Sequence, residues 1–292
     1  MGIKGALPVD DWIVAHKIPL GGWLQSGLDV LNNHAGGFFD FISLVLGALI
    51  NALLVGLLWF NPIVLIVILV IGTWLLHRSV ALAIGVAVGL LLVMNLGYWQ
   101  ATMETLALVL CATLVSVAVG VPVGIAAAHR PWLYTITRPI LDLMQTIPTF
   151  VYLIPTLVLF GLGMVPGLIS TVIFAIAAPI RLTHLGVSSV PLQLHEAGLA
   201  FGATKRQLLW KVEIPYALPT IMAGITQCIM LSLSMVVIAA LVGADGLGKP
   251  VVRALNTVNV SMGFEAGLAI VVLAILLDRV CKWPERRLKG SR

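Results

Sequence analysis

Residues 105–128 read TLALVLCATLVSVAVGVPVGIAAA, a run without one charged side chain. A bilayer core about 30 Å thick is crossed by roughly 20 residues rising 1.5 Å each. Lipid offers no water to the backbone N–H and C=O groups, so such a run crosses as an α-helix, whose hydrogen bonds are all internal. Further apolar blocks occupy 39–60, 62–76, 80–97, 139–161, 167–187, 216–243 and 263–281. The expected fold is therefore an all-α integral membrane protein, a polytopic bundle of seven or eight hydrophobic helices. Block 39–60 is ambiguous, because Asn51 interrupts it and only Asn61-Pro62 separates it from the next block. It reads as a span, a re-entrant helix or an interfacial one.

Composition agrees. Of 292 residues, 60% are hydrophobic and 10% charged, where a soluble domain carries about a quarter charged. The net charge of +5 does not point to nucleic acid, because the basic residues sit in short turns between blocks. Cys111, Cys228 and Cys281 lie in or at the end of apolar blocks. They form no disulfide framework, and no Cys/His spacing suggests a metal. No cofactor is expected, no cleavable signal peptide is recognised, and no phosphate-binding loop of the Walker type is present.

The basic residues also orient the chain. If 188–215 faces the cytoplasm, alternation of spans places thirteen of the seventeen Lys and Arg on or near that side. They include Arg78, Arg130, Arg138, Arg181, Lys205, Arg206, Lys211 and everything from Arg279 onward. Cytoplasmic loops carry such an excess. The C-terminus is expected inside, and the side of the N-terminus depends on block 39–60. The domain reading is a tail over 1–38 with an interfacial-helix signal (Trp23, Leu24, Leu28, Leu31), hydrophobic helices over 39–94, a core over 95–282, and a basic cytoplasmic tail over 283–292.

Within the core, 191–219 reads PLQLHEAGLAFGATKRQLLWKVEIPYALP. It is too polar to span, yet Leu192, Leu194, Leu199, Phe201, Leu208, Leu209 and Trp210 punctuate it. Thr204-Lys-Arg-Gln207 is a capping-box pattern that opens a second short helix. Pro215 and Pro219 mark the entry to the next span. Two short amphipathic helices between spans need a partner for their apolar faces.

The order Glu196-Ala197-Gly198, Gly202, Val212-Glu213-Ile214-Pro215 resembles the EAA loop of ATP-binding-cassette (ABC) importer permeases: Glu-Ala-Ala, three residues, Gly, nine residues, Ile-x-Leu-Pro. Gly198, Val212 and Ile214 are the departures. The resemblance implies that 191–215 is a coupling helix seated in a groove of an ATPase subunit. Further stretches, MQTIPTFVYLIP at 144–155, LFGLGMVPG at 159–167, PTIMAGI at 219–225, LSMVVIAALVG at 233–243 and GLG at 246–248, resemble permeases for glycine betaine, proline betaine and choline. This implies the transmembrane domain of a type I importer, a homodimer, two ATPase subunits, an extracytoplasmic substrate-binding protein and a bacterial inner membrane. The permease itself would be no enzyme.

A quaternary ammonium ion cannot shed its charge and needs a polar or aromatic lining to cross. Asp142, Gln145, Thr149, Tyr152 and Thr156 are spaced 3, 4, 3 and 4 and predict one helical stripe, with kinks at Pro148 and Pro155. Gln227 and Ser234 form a second pair. The expected path residues are thus Gln145, Thr149, Tyr152, Gln227 and Ser234, with interhelical hydrogen bonding as their plainer role. Asp142 is expected to pair with Arg138, Asp278 with Lys282, and His195 to serve docking. An ABC permease for another solute, such as an amino acid, would share the cytoplasmic motif. A secondary transporter would place ionisable groups deep in its spans, whereas the acidic residues here cluster near span ends.

Overall fold

A computed structural model describes residues 16–281. Among them the regular structure is helical: α1 (Leu20–Leu58), α2 (Pro62–His77), α3 (Val80–Asn95), α4 (Trp99–His129), α5 (Pro131–Thr146), α6 (Leu153–Phe160), α7 (Met164–Ala175), α8 (Ala177–Ser188), α9 (Leu192–Ala200), α10 (Lys205–Leu208), α11 (Ile214–Ala240), α12 (Gly248–Thr257) and α13 (Val260–Cys281). Among the described residues five helices are long and apolar enough to cross a membrane, or six if the bent pair formed by Pro131–Thr146 and Thr149–Phe160 counts as one span. Helices α2 and α3, 16 residues each, fall just short and pack on each other as a hairpin. Asn61 and Ser79 cap their N-termini through side-chain oxygens.

Block 39–60 is the second part of α1, so the expected boundary at 38/39 falls inside a helix. A non-helical residue, Ala35 (φ −120°, ψ 15°), kinks it. Beyond the kink, Leu46, Leu49, Ile50 and Leu53 join the core, and Phe39 meets Phe160 edge-to-face with ring centres 5.4 Å apart. Before the kink, Trp23, Leu24 and Leu31 stay exposed. Trp12, Lys282 with its expected pairing to Asp278, and the tail 283–292 lie outside the described residues.

The core gathers around α4. Leu108, Val109, Cys111 and Ala112 form one buried cluster with Leu168 of α7, Ile229, Leu233 and Val236 of α11, and Ala269 and Leu273 of α13. The most extensive helix contacts join α8 to α11 and to α4, because these three carry small residues where they cross. A Cβ at Gly124 would stand 2.7 Å from the Ile180 carbonyl oxygen, and one at Gly120 3.0 Å from the Pro179 ring. On the other side of α8, Gly186 meets Ala217 and Thr220, and Gly224 meets Leu182. Lipid tails are as apolar as Leu, so association in a bilayer relies on such close backbone approach.

The two ends of the bundle are tied separately. At one end the Gly163 N–H donates to the Val242 carbonyl (2.8 Å) and the Leu247 N–H to Thr105 Oγ1 (2.9 Å). At the other, the end of α4 meets the 188–215 segment.

Gly124→Val should lower detergent-phase stability by about 1–3 kcal/mol through overpacking, read as an earlier thermal transition. Gly85→Ala, with open space around its Cβ position, should be neutral or slightly stabilising.

Candidate functional site

The 188–215 segment folds as its sequence asks. Pro191 precedes α9, which ends in a Schellman turn: the Ala203 N–H donates to the Gly198 carbonyl (3.0 Å) and the Gly202 N–H to that of Leu199 (2.9 Å). Gly202 takes φ +75°, a left-handed conformation that glycine adopts without strain. Thr204 and Gln207 then form the expected capping box. Gly198 is placed by contact, since its Cβ would stand 2.6 Å from Leu208 Cδ1; the missing methyl lets α10 lie against α9. Pro215 sits in the first turn of α11, and Pro219 lies inside that helix.

Between α10 and α11 the chain makes a π-helical turn, Leu209–Glu213. Such wide turns mark functional positions more often than chance. This one sends Glu213 inward, where it is only 2% exposed. A carboxylate accepts but does not donate, and two imidazoles serve it. His129 Nε2–H, at the end of α4, donates to Glu213 Oε2 (2.8 Å). His195 Nε2, on α9, lies 3.4 Å from Oε1. One buried carboxylate therefore joins three elements: the 188–215 segment, the span that follows it and the central helix α4. His195, expected to serve docking, turns its ring toward this carboxylate. Glu196, Ala197, Leu192, Leu199, Phe201 and Trp210 remain exposed.

The stripe over 142–156 does not exist as one helix face. Pro148 lacks an N–H and pushes Ile147 into extended geometry (ψ 129°), so the chain turns by 105° between α5 and the 3₁₀ turn Thr149–Tyr152. Pro155, in the first turn of α6, causes no break. Tyr152 is buried, its hydroxyl donating to the Met144 carbonyl (2.6 Å) across the bend. Thr156 shares a 2.8 Å hydrogen bond with Ser170. Asp142 accepts from Arg181 Nη2 at 2.6 Å instead of pairing with Arg138. Ser234 is exposed, and its hydroxyl donates to the Met230 carbonyl of its own helix (3.0 Å).

Gln145 and Gln227, far apart in sequence, face the same cavity. With Phe174, Ala178, Arg181, Leu182 and Leu231 they line an open cavity of about 400 Å³. Thr149, Tyr152 and Ser234 do not line it. Arg181, His129 and Glu213 were not chosen from sequence as site residues. Arg181 carried a readable signal as the one Lys/Arg/Asp/Glu residue in block 167–187. The His129–Glu213 pair, 84 residues apart, carried none.

The helical bundle has counterparts among known transporters. The description "binding-protein-dependent transport system inner membrane component" matches residues 120–290. The chain belongs to this family. It is 47% identical to the glycine betaine transport system permease protein OpuAB of Bacillus subtilis over 265 residues, 90% of this chain and 93% of the relative. It is 41% identical to the glycine betaine/proline betaine permease protein ProW of Escherichia coli over 281 residues, 95% of this chain and 79% of the relative. The fold resembles that of the MetNI methionine ABC transporter in an inward-facing conformation, with TM-score 0.60 and 24% identity, covering 65% of this chain and 95% of that one. The protein is thus an ABC-importer permease, an inner-membrane transport subunit and not itself an enzyme. Importers of this kind draw on an ATPase and a substrate-binding protein. A secondary transporter is not favoured.

Glu213→Ala should free the 188–215 segment from α4. Losing hydrogen bonds to a charged group costs about 1.5–3 kcal/mol, so limited trypsin cleavage at the exposed Lys205-Arg206 pair should accelerate roughly tenfold or more. Glu213→Gln should fall between the two.

Proposed function

We propose that this permease imports glycine betaine or a closely related quaternary ammonium osmolyte, driven by ATP hydrolysis in a separate subunit. The single observation carrying the substrate class is the 47% identity to a glycine betaine permease across 90% of the chain. The cavity between α5, α7, α8 and α11 is part of the translocation path, with Gln145 and Gln227 in its wall. Thr149, Tyr152 and Ser234 belong to the path only at a remove: Tyr152 holds the bend that positions Gln145, and Ser234 continues the exposed face of α11.

The functional unit is a homodimer with two ATPase subunits and an extracytoplasmic binding protein. The 188–215 segment and the C-terminus face the cytoplasm, consistent with the clustering of basic residues there. Glu196, Ala197, Gly198, Gly202, Val212, Ile214 and Pro215 shape the coupling element. Its exposed apolar side, with Phe201 92% and Trp210 61% accessible, lies at the bundle end and is suited to a protein groove. ATP binding draws the two ATPases together and moves α9. The Glu213 clasp passes that movement to α4 and α11, which border the core and the cavity. A carboxylate bridging three elements moves them as a unit, whereas a solvated loop would absorb the displacement.

Vesicles reconstituted with the permease, its ATPase and its binding protein should accumulate radiolabelled glycine betaine only with internal ATP. Uptake without the ATPase would overturn the assignment, and uptake of an amino acid but not betaine would favour the other-solute reading. Phe201→Asp should leave the permease inserted while copurification of the ATPase and uptake both fall at least tenfold. Undiminished copurification would remove this face from the interface.

A further inference from the structure

We propose that Arg181 reads the carboxylate of the transported zwitterion, so that this cavity favours N-methylated amino acids over carboxylate-free cations such as choline. The inference rests on reading the Gln145–Gln227 cavity as part of the path, and it goes further by assigning the chemistry of recognition.

Arg181 is the charged residue in the cavity wall, and it lies within Met164–Ser188, a helix long and apolar enough to cross the membrane. An arginine inside such a helix is costly and calls for a functional reason. Its partner Asp142 lies outside the cavity lining and engages Nη2 at 2.6 Å. Both side chains are substantially accessible, 35% for Arg181 and 55% for Asp142. The contact is a single one between accessible side chains beside an open cavity, so a ligand carboxylate can take the place of Asp142. A guanidinium carries five N–H donors in a planar fork suited to carboxylates, which leaves donors for a ligand approaching from the cavity.

The other lining groups fit the rest of such a ligand. Phe174 supplies an aromatic ring to the lining, the kind of group that attracts a trimethylammonium cation. Leu182 and Leu231 accommodate its methyl groups, and the amides of Gln145 and Gln227 can reorient to donate or accept. About 400 Å³ lies within the range of small-ligand sites. Choline presents a hydroxyl in place of the carboxylate and keeps a net positive charge, so Arg181 gives it no ion pair and repels it. In this arrangement Asp142 acts as a competitor that holds the guanidinium until substrate arrives.

The two members of the ion pair are therefore predicted to act in opposite directions. Saturation-transfer NMR of the N-methyl signals, on the purified permease–ATPase complex without binding protein, would measure weak binding of glycine betaine and of choline. Arg181→Gln should weaken glycine betaine at least tenfold and leave choline unchanged or tighter. Asp142→Asn should tighten glycine betaine severalfold by releasing the guanidinium. Choline binding retained in Arg181→Gln shows that the variant is folded, and glycine betaine binding unchanged or weakened in Asp142→Asn overturns the proposal. If the parent binds betaine and Arg181→Gln binds it equally well, the Arg181 assignment fails while the cavity reading stands. If the parent binds neither ligand, the cavity reading itself fails.

Discussion

The close approach of α8 to α4 on one side and α11 on the other is the constraint on which the molecule depends. Gly120 and Gly124 admit Pro179 and Ile180, while Gly186 and Gly224 admit Ala217, Thr220 and Leu182. Hydrophobic burial does not select partners among helices already surrounded by lipid, so steric fit at these crossings supplies the specificity. The same packing holds the α8 backbone firmly beside α5 and α11. Arg181 therefore shares the cavity wall with Gln145 and Gln227.

A second constraint acts at the loop end. The segment after α8 has little apolar surface facing the bundle, and α9 has no buried residue of its own. It is held by a turn and a charge. The Schellman geometry at Gly202 and the capping box at Thr204 set the angle between its two short helices. The π-helical turn then rotates Glu213 into the interior against His129 and His195. A burial penalty on an unpaired carboxylate makes these contacts mutually dependent, so the segment resists moving independently of α4.

The break at Pro148 shows how tertiary geometry rearranges a linear pattern. Spacing alone put Asp142, Gln145, Thr149, Tyr152 and Thr156 on one stripe. Once the chain turns by 105°, Gln145 reaches the cavity, Tyr152 ties the bend and Thr156 joins α7 through Ser170. Helical periodicity holds only while the backbone hydrogen bonds continue, and a proline whose preceding residue turns extended ends them. A kink was foreseen there; its size, and so the parting of the stripe, was not.

By itself the sequence determined what local chemistry dictates: apolar runs that must be helices in lipid, the capping box at Thr204, the glycine at a left-handed turn, and a motif order that resembles a coupling loop. It left α1 unresolved, because continuity across Ala35 and 38/39 depends on what Leu46 and Ile50 pack against. Only the tertiary structure decided that Asp142 faces Arg181 instead of Arg138, that Gln145 and Gln227 share one cavity, and that Glu213 meets His129 across 84 residues. Such pairings depend on which helix faces are brought together, and that is set by steric fit between helices, a property that no single stretch of chain contains.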